Sequence, residues 1–195
     1  NTAVMAVAEG NFGRLGTAQQ QRYTTGNAQI QLDPSVWETP GAMPEIAPSP
    51  DFKANIDRPF YDRSMTLQAW GAYGILWPVV HQQLGVAPDL GNGRVTVVPQ
   101  VPDGQSQISG RSIRLGSGSV DVSASRSQRE LRTTVRSDRL RADLTIGAVL
   151  PSGARVSSVT LNGRTAHFDI VHTSRGDEVR VHAGDDTSTL VVTLR

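Results

Sequence analysis

Apolar residues along this chain keep two different rhythms, and the change falls near residue 93. Before it, apolar positions recur at helical spacing; after it, they alternate with polar ones. The Ala/Val-rich run over residues 2–10 predicts a first helix. A second is expected from about Arg14, through Gln19-Gln20-Gln21, to about Gln29. Gly10, Gly13 and Gly16 separate the two, because each interior glycine costs a helix roughly 1 kcal/mol relative to alanine. A third helix should begin with Ser64 as its N-cap and carry Met65, Leu67, Trp70, Tyr73, Ile75, Leu76, Trp77, Val79 and Val80. Being apolar around most of its circumference, it is expected to be buried. Pro78 should kink it and Gly85 should stop it.

Between the second and third helices lies a long segment, about 31–62, punctuated by Pro34, Pro40, Pro44, Pro48, Pro50 and Pro59. A loop of that length in a compact domain is usually functional. From Arg94 onward the period is two: Val95/Val97, Val120/Val122, Leu131/Thr133/Val135, Leu144/Ile146, Val156/Ser158, Val159/Leu161, Val179/Val181 and Leu190/Val192/Leu194. Asn162-Gly163 reads as a tight hairpin turn. Further turns are expected at Gly116-Ser117-Gly118, Ser174-Arg175-Gly176-Asp177 and Gly184-Asp185-Asp186. Eight or so short strands spaced in this way make an antiparallel β-sandwich. The expected organisation is α+β and multi-domain, with a helical part over residues 1–90 and a sandwich over 91–195, divided near Gly91-Asn92-Gly93.

Composition narrows the function classes. The chain has 195 residues and a formal charge of +1, so no strong field draws it to nucleic acid or to a membrane surface. Residues 1–92 carry a net charge of −3 and residues 93–195 a net of +4. Cysteine is absent, which excludes disulfides, thiol nucleophiles and thiolate metal sites. No apolar run is long enough for a transmembrane helix. The compartment stays open, with secretion favoured over the cytoplasm, since large secreted bacterial enzymes often lack cysteine. The chain starts inside a helix-forming stretch, and three helices cannot enclose a deep cleft, so a further helical portion or companion chain is expected.

Aromatic residues are concentrated in the first half: nine of the ten precede residue 93, and only Phe168 follows. Trp37-Glu38-Thr39-Pro40-Gly41-Ala42-Met43-Pro44-Glu45-Ile46 places two carboxylates beside a tryptophan on a stiff loop. That suits sugar chemistry, in which an indole face holds a pyranose ring and a carboxylate handles a proton or a water. Glu45 and Glu38 are each either a solvated loop charge or a positioned acid–base group. Asp57-Arg58 and Asp62-Arg63 read as local ion pairs. Trp70 and Trp77, seven apart on one helical face, read as core packing, which makes Trp37 the better stacking candidate. Gln68 either holds the loop or caps a buried polar gap.

His81 falls near a helix C-terminus and is expected to interact with its dipole. His167, His172 and His182 fall on expected strands with no HxxxH or His–carboxylate grouping, so no metal site is expected. No Gly-x-Ser-x-Gly elbow and no phosphate-binding glycine loop is present. No cofactor is implied.

Three runs carry a resemblance: Met43-Pro44-Glu45-Ile46, Asn55-Ile56-Asp57-Arg58-Pro59 and Ser64-Met65-Thr66-Leu67-Gln68-Ala69-Trp70. Together they resemble the end of the catalytic domain of glycogen-debranching, amylo-α-1,6-glucosidase-like glycoside hydrolases. The resemblance is most specific over residues 18–90, including Gln19-Gln20-Gln21-Arg22-Tyr23-Thr24-Thr25, and looser over the sandwich. It implies the terminal helices of an (α/α)6 toroid of six-hairpin glycosidase type, followed by an appended β-sandwich. It also implies an inverting mechanism with Glu45 as general base and the general acid on an earlier part of the barrel. Such a pair stands about 6.5–9.5 Å apart to admit a water.

The implied partners are an α-glucosidic oligosaccharide or polysaccharide and the N-terminal remainder of the enzyme. Trp37, Trp70 and Gln68 would serve the sugar site. Glu45 is followed here by Ile46-Ala47-Pro48 rather than the family's Leu-Phe, and without the remainder the chain is expected to be inactive. The alternative is a non-catalytic carbohydrate-binding or structural sandwich with a helical docking arm. The lack of Trp and Tyr beyond residue 93 speaks against it.

Overall fold

The computed structural model describes residues 2–13, 18–34, 41 and 68–195. Three α-helices, α1 (Thr2–Asn11), α2 (Ala18–Leu32) and α3 (Ala69–Leu76), precede eleven strands among the described residues. The strands are β1 (Val86–Asp89), β2 (Arg94–Val97), β3 (Gln107–Leu115), β4 (Gly118–Arg126), β5 (Glu130–Asp138) and β6 (Asp143–Val149), then β7 (Val156–Leu161), β8 (Arg164–Thr165), β9 (Asp169–Thr173), β10 (Gly176–Ala183) and β11 (Thr187–Leu194). They form a five-stranded sheet, β1-β2-β6-β10-β9, and a six-stranded sheet, β3-β4-β5-β11-β7-β8. The β2–β6 pairing is parallel. The fold is therefore α+β with a β-sandwich as its larger part.

Alternating positions build the sandwich core. Val120, Val122, Val135, Ile146, Val179, Leu190 and Val192 are all essentially inaccessible. At about 1.5–3 kcal/mol for each fully buried apolar side chain, this interior supplies the main driving force. Asn162 and Gly163 have φ of 51° and 77°, as a two-residue turn twisted to match its strands requires. Gly91-Asn92-Gly93 forms the connection from β1 to β2, with Gly93 at φ 67°.

Period two fails where the strands bulge. Val156/Ser158 and Val159/Leu161 belong to one strand, β7. Its register against β11 slips between Thr193 and Leu194, so Val156 pairs with Leu194 and Val159 with Val192. Both valines thereby face inward. A second bulge splits β3 between Gly110 and Ile113. There Ser112 adopts φ 54° and its N–H is donated to Asp121 Oδ1 at 2.7 Å.

Two features of the helices depart from expectation. The first is the burial of α3. Trp70, Tyr73 and Leu76 are exposed, and the buried residues of α3 are Gly71 and Gly74. The cause is small-residue packing: a methyl on Gly74 would overlap Ala3 of α1. The helices meet through backbone and alanine, which leaves the large side chains outside. In α2 the buried stripe is polar, comprising Gln20, Thr24, Asn27 and Gln31 at helical spacing. Some of their polar atoms bond within the stripe or to the backbone, as in Gln31 Nε2 to Asn27 Oδ1 at 2.8 Å and Thr24 Oγ1 to the Gln20 carbonyl at 3.0 Å.

The second departure is at Pro78. Instead of a simple kink, the helix widens into a π-helical segment over Trp77–Gln83. Proline lacks an N–H and its ring collides with the carbonyl four residues back, so a wider turn accommodates it. The segment ends with Leu84 N–H bonded to the Val79 carbonyl, five residues back, and Gly85 turns the chain at φ 68°. The expected N-cap, Ser64, and most of the proline-rich 31–62 segment lie outside the described residues, as do Asp57, Arg58, Asp62 and Arg63. Among the described residues, no helix is long and apolar enough to cross a membrane.

The π-helical turn docks the helices on the sandwich. Gln82 Nε2 donates to the Val7 carbonyl and to Asn11 Oδ1, both at 2.9 Å, and Gln82 Oε1 accepts from Gln20 Nε2 at 3.3 Å. Gly10 makes room for this amide, because a methyl there would overlap Gln82 Oε1. Gly10→Ala should therefore destabilise the protein by about 1–3 kcal/mol in urea unfolding, the usual cost of overpacking. Among the described residues, nothing lies within 4 Å of a methyl placed on Gly26 in α2. Gly26→Ala should stabilise by about 0.5–1 kcal/mol through helix propensity. Equal effects at the two positions would contradict this packing.

Candidate functional site

Trp37, Glu38 and Glu45 lie outside the described residues, so the structure neither joins them to nor separates them from the rest of the site. Gln68 and Trp70 are described. Gln68 has an extended backbone (φ −132°, ψ 130°), and its Oε1 accepts from Ala69 N at 3.1 Å. It caps the first turn of α3 and satisfies one of the donors that a helix start leaves open.

From that cap the helix presents an aromatic strip at helical spacing: Trp70, Tyr73, Trp77 and His81. Trp70 is 48% exposed. The Tyr73 and Trp77 ring centroids are 5.3 Å apart with planes tilted by 44°. Trp77 and His81 are 4.0 Å apart at 38°. Trp77 is half-buried beneath its two neighbours, so the core role expected of both tryptophans holds only partly for Trp77 and fails for Trp70. The stripe stays outside because the glycine side of α3 takes the helix–helix contact.

His81 closes the inner end of the strip. Its Nδ1 lies 3.0 Å from the Val86 carbonyl, so Nδ1 carries the proton and Nε2 keeps its lone pair. Its side chain bonds the next strand rather than answering the helix dipole. Burial lowers the His81 pKa below its ordinary value; the Val86 carbonyl opposes that shift and the nearby Arg175 charge adds to it.

Beyond His81 is a cavity of about 300 Å³, lined by His81, Gln82, Thr96, Arg175, Glu178 and Arg180 among others. It lies between the helices and the outer face of the five-stranded sheet. The sheet register explains why a glutamate is buried there. Val179 and Val181 fill the sandwich core, so Glu178 and Arg180 point the other way, beneath the helices. The Glu178 side chain is 1% exposed. Its Oε1 accepts from Arg175 Nη2 at 2.6 Å and from Thr173 Oγ1 at 3.2 Å. Its Oε2 accepts from Arg180 Nη2 at 2.7 Å and from Nε at 3.0 Å. A buried carboxylate clamped by two guanidiniums is held as an anion in fixed geometry, so Glu178 reads as structural rather than as a base.

The other histidines differ from expectation in two places. His167 sits between β8 and β9, outside any strand. His172 does have a carboxylate partner, Asp177, with Nδ1 and Oδ1 at 2.5 Å across the β9–β10 hairpin. The pair is formed by facing positions of a hairpin, His172 opposite Asp177, which the turn at Ser174-Arg175-Gly176 could have suggested. Among the described residues, no group of three His, Asp or Glu side chains is placed to hold a metal ion.

The lowered pKa of His81 has a definite sign in stability. Below the ordinary value of 6.5, the unfolded chain takes up a proton that the folded chain refuses. This contribution to stability is therefore full above about pH 6.5 and declines as pH falls toward the folded pKa. Unfolding free energies measured at neutral and mildly acidic pH should converge between wild type and His81→Gln as pH falls. A constant difference between them would contradict the burial of a neutral ring.

No protein-family model matches the sequence. No curated protein matches it either. Among solved structures the chain is similar to an α-L-rhamnosidase from Dictyoglumus thermophilum, with 9% identity and a TM-score of 0.44 over 67% of this chain and 14% of that one. It is also similar to a GH127 β-L-arabinofuranosidase from Geobacillus Stearothermophilus T6, with 16% identity and a TM-score of 0.36 over 64% of this chain and 18% of that one. A GH31 dextranase from Flavobacterium johnsoniae, solved with isomaltotriose, matches with 8% identity and a TM-score of 0.35 over 51% of this chain and 16% of that one. These neighbours are glycoside hydrolases, and the chain spans less than one fifth of the length of each.

Proposed function

We propose that this chain is the C-terminal part of an inverting glycoside hydrolase acting on α-glucosidic oligosaccharides or polysaccharides. The observation that carries the reading is the exposed aromatic strip of α3, which begins at Trp70, directly after the Gln68 cap. Exposed indole and phenol faces at this spacing form a platform for pyranose rings. In this reading Trp70 and Trp37 line the sugar site, while Gln68 holds the strip in place by fixing the start of its helix.

Glu45 is the general base in this proposal. It takes a proton from a water that attacks the anomeric carbon on the face opposite the leaving group. The acid, on the remainder of the enzyme, protonates the departing oxygen. Glu38 is the nearest competitor for the role. The helical part, residues 1–90, is read as the end of an (α/α)6 toroid, and the sandwich, residues 91–195, as its appended domain, with the first strand at Val86–Asp89 joined to the sandwich. Two buried donors support a larger helical body: among the described residues, Asn27 Nδ2 and Trp77 Nε1 have no hydrogen-bond partner. Buried donors of this kind normally find one.

The sandwich by itself is the weaker candidate for sugar stacking, because its one aromatic residue, Phe168, packs against the core.

Two measurements test the proposal. In the chain itself, α-glucan oligosaccharides should change tryptophan fluorescence, and Trp70→Ala should remove most of that response. In the complete enzyme, Glu45→Gln should lower kcat by about 10²–10⁴-fold with little change in KM. Glu38→Gln should leave turnover near wild type. Wild-type turnover in Glu45→Gln would sink the assignment, and a loss confined to Glu38→Gln would move the base to Glu38.

A further inference from the structure

Asparagine followed by glycine occurs twice in this chain, at Asn92-Gly93 and Asn162-Gly163, and the two side chains are held in different ways. Glycine has no Cβ to shield its own nitrogen, so at such a step that nitrogen can approach the asparagine side-chain carbon closely. Sequence alone gives the two steps the same reactivity.

At Asn162 both polar atoms of the amide are engaged. Nδ2 donates to Asp185 Oδ2 at 2.7 Å, and Oδ1 accepts from the backbone N–H of Thr189 in β11 at 2.8 Å. The Asn162 backbone N–H is in turn donated to the Thr189 carbonyl at 2.8 Å. The side chain cannot turn toward Gly163 without releasing the β10–β11 connection and β11 together.

Asn92 stands in a three-residue 3₁₀ turn, Leu90–Asn92, between β1 and β2. It is exposed, as are Leu90 and Gly91. Among the described residues its amide makes one hydrogen bond, from Nδ2 to Asp89 Oδ1 at 2.9 Å, and that exposed carboxylate is shared with Arg94. The Gly93 N–H is donated to the Leu90 carbonyl at 3.1 Å. Bonds in a short 3₁₀ turn have poor geometry, and at the surface they open locally.

We propose that Asn92-Gly93 is a site of spontaneous covalent modification, against which the clamps on Asn162 protect the second step. The Gly93 nitrogen passes its proton to solvent and attacks Asn92 Cγ. The new N–Cγ bond closes a succinimide, the Cγ–Nδ2 bond breaks, and the amide nitrogen leaves with a solvent proton as ammonia. Water then opens the ring at either carbonyl, which gives aspartate or isoaspartate at position 92. Either product replaces the donor beside Asp89 with a second carboxylate, and isoaspartate adds a backbone carbon to the turn that joins β1 to β2. The chemistry needs water alone and stands whether or not Glu45 is a catalytic base.

Incubation of the folded chain in mildly alkaline buffer, followed by trypsin digestion and mass spectrometry, tests this. Trypsin releases residues 64–94 and 156–164, each containing a single asparagine. Fragment ions should place an amide-to-acid mass change at Asn92, in two chromatographic forms. It should accumulate about tenfold faster than the change at Asn162, as the opening of one further net hydrogen bond implies. In urea the two rates should become alike. Asp185→Ala, which removes one clamp at an exposed position, should speed conversion of Asn162 several-fold in the folded chain and leave Asn92 unchanged. The inference fails if the two folded sites convert equally or in the reverse order, if their difference persists in urea, or if Asp185→Ala leaves Asn162 as slow as before.

Discussion

One buried carboxylate governs how the two parts of this molecule meet. Glu178 stands on the outer face of the five-stranded sheet, held by Arg175, Arg180 and Thr173. Burying a charge costs several kcal/mol, and the cost is offset only when each lone pair is answered. Arg175 does more than answer Glu178. Its Nη1 donates to the Gln82 carbonyl at 3.1 Å and to the Val98 carbonyl at 3.2 Å. One guanidinium thus joins a sheet carboxylate, the end of the π-helical segment and the chain just after β2. The carbonyls at a helix end otherwise lack partners, so the arginine supplies what the helix cannot.

Pro78 sets up that junction from the other side. Gln82 and Gln83, at the end of the π-helical segment, are both buried, enclosed by α1 and α2 on one side and the sheet on the other. Gln82 then reaches α1, and Gln83 Nε2 reaches Gln20 Oε1 of α2 at 3.2 Å. The same helix presents its aromatic strip to the outside. Strip and π-helical turn are therefore parts of one continuous helix, which Arg175 ties to the sheet, so the position of the proposed sugar platform depends on the sheet beneath it.

Much of the sandwich was legible because its inward positions are β-branched or leucine and its turns use Asn-Gly and Gly-Asp chemistry. β3 was hidden by the bulge at Ser112 and β8 has only two residues, while β1 and β9 hold one fully buried position between them and so show no inward alternation. The burial of α3 was misread because hydrophobicity around the circumference says nothing about which side carries the glycines. The polar seam of α2 was invisible for a related reason: Gln20, Thr24, Asn27 and Gln31 look like a solvated face until their partners are known. Trp70 and Gln68 were chosen as candidates from sequence alone, and the structure adds the exposure of the one and the helix-capping role of the other. The Arg175–Glu178 latch joins a hairpin turn to a helix 93 positions away, a pairing that no local pattern announces.

Hydrogen exchange on Arg175→Met, compared with wild type, tests the latch most directly. The account predicts faster exchange at the amides of Leu84 and Gln100, which bond the Val79 and Gln83 carbonyls, with β4, β5 and β11 as protected as before. Unchanged protection at Leu84 and Gln100, or an equal loss throughout the sandwich, would contradict it.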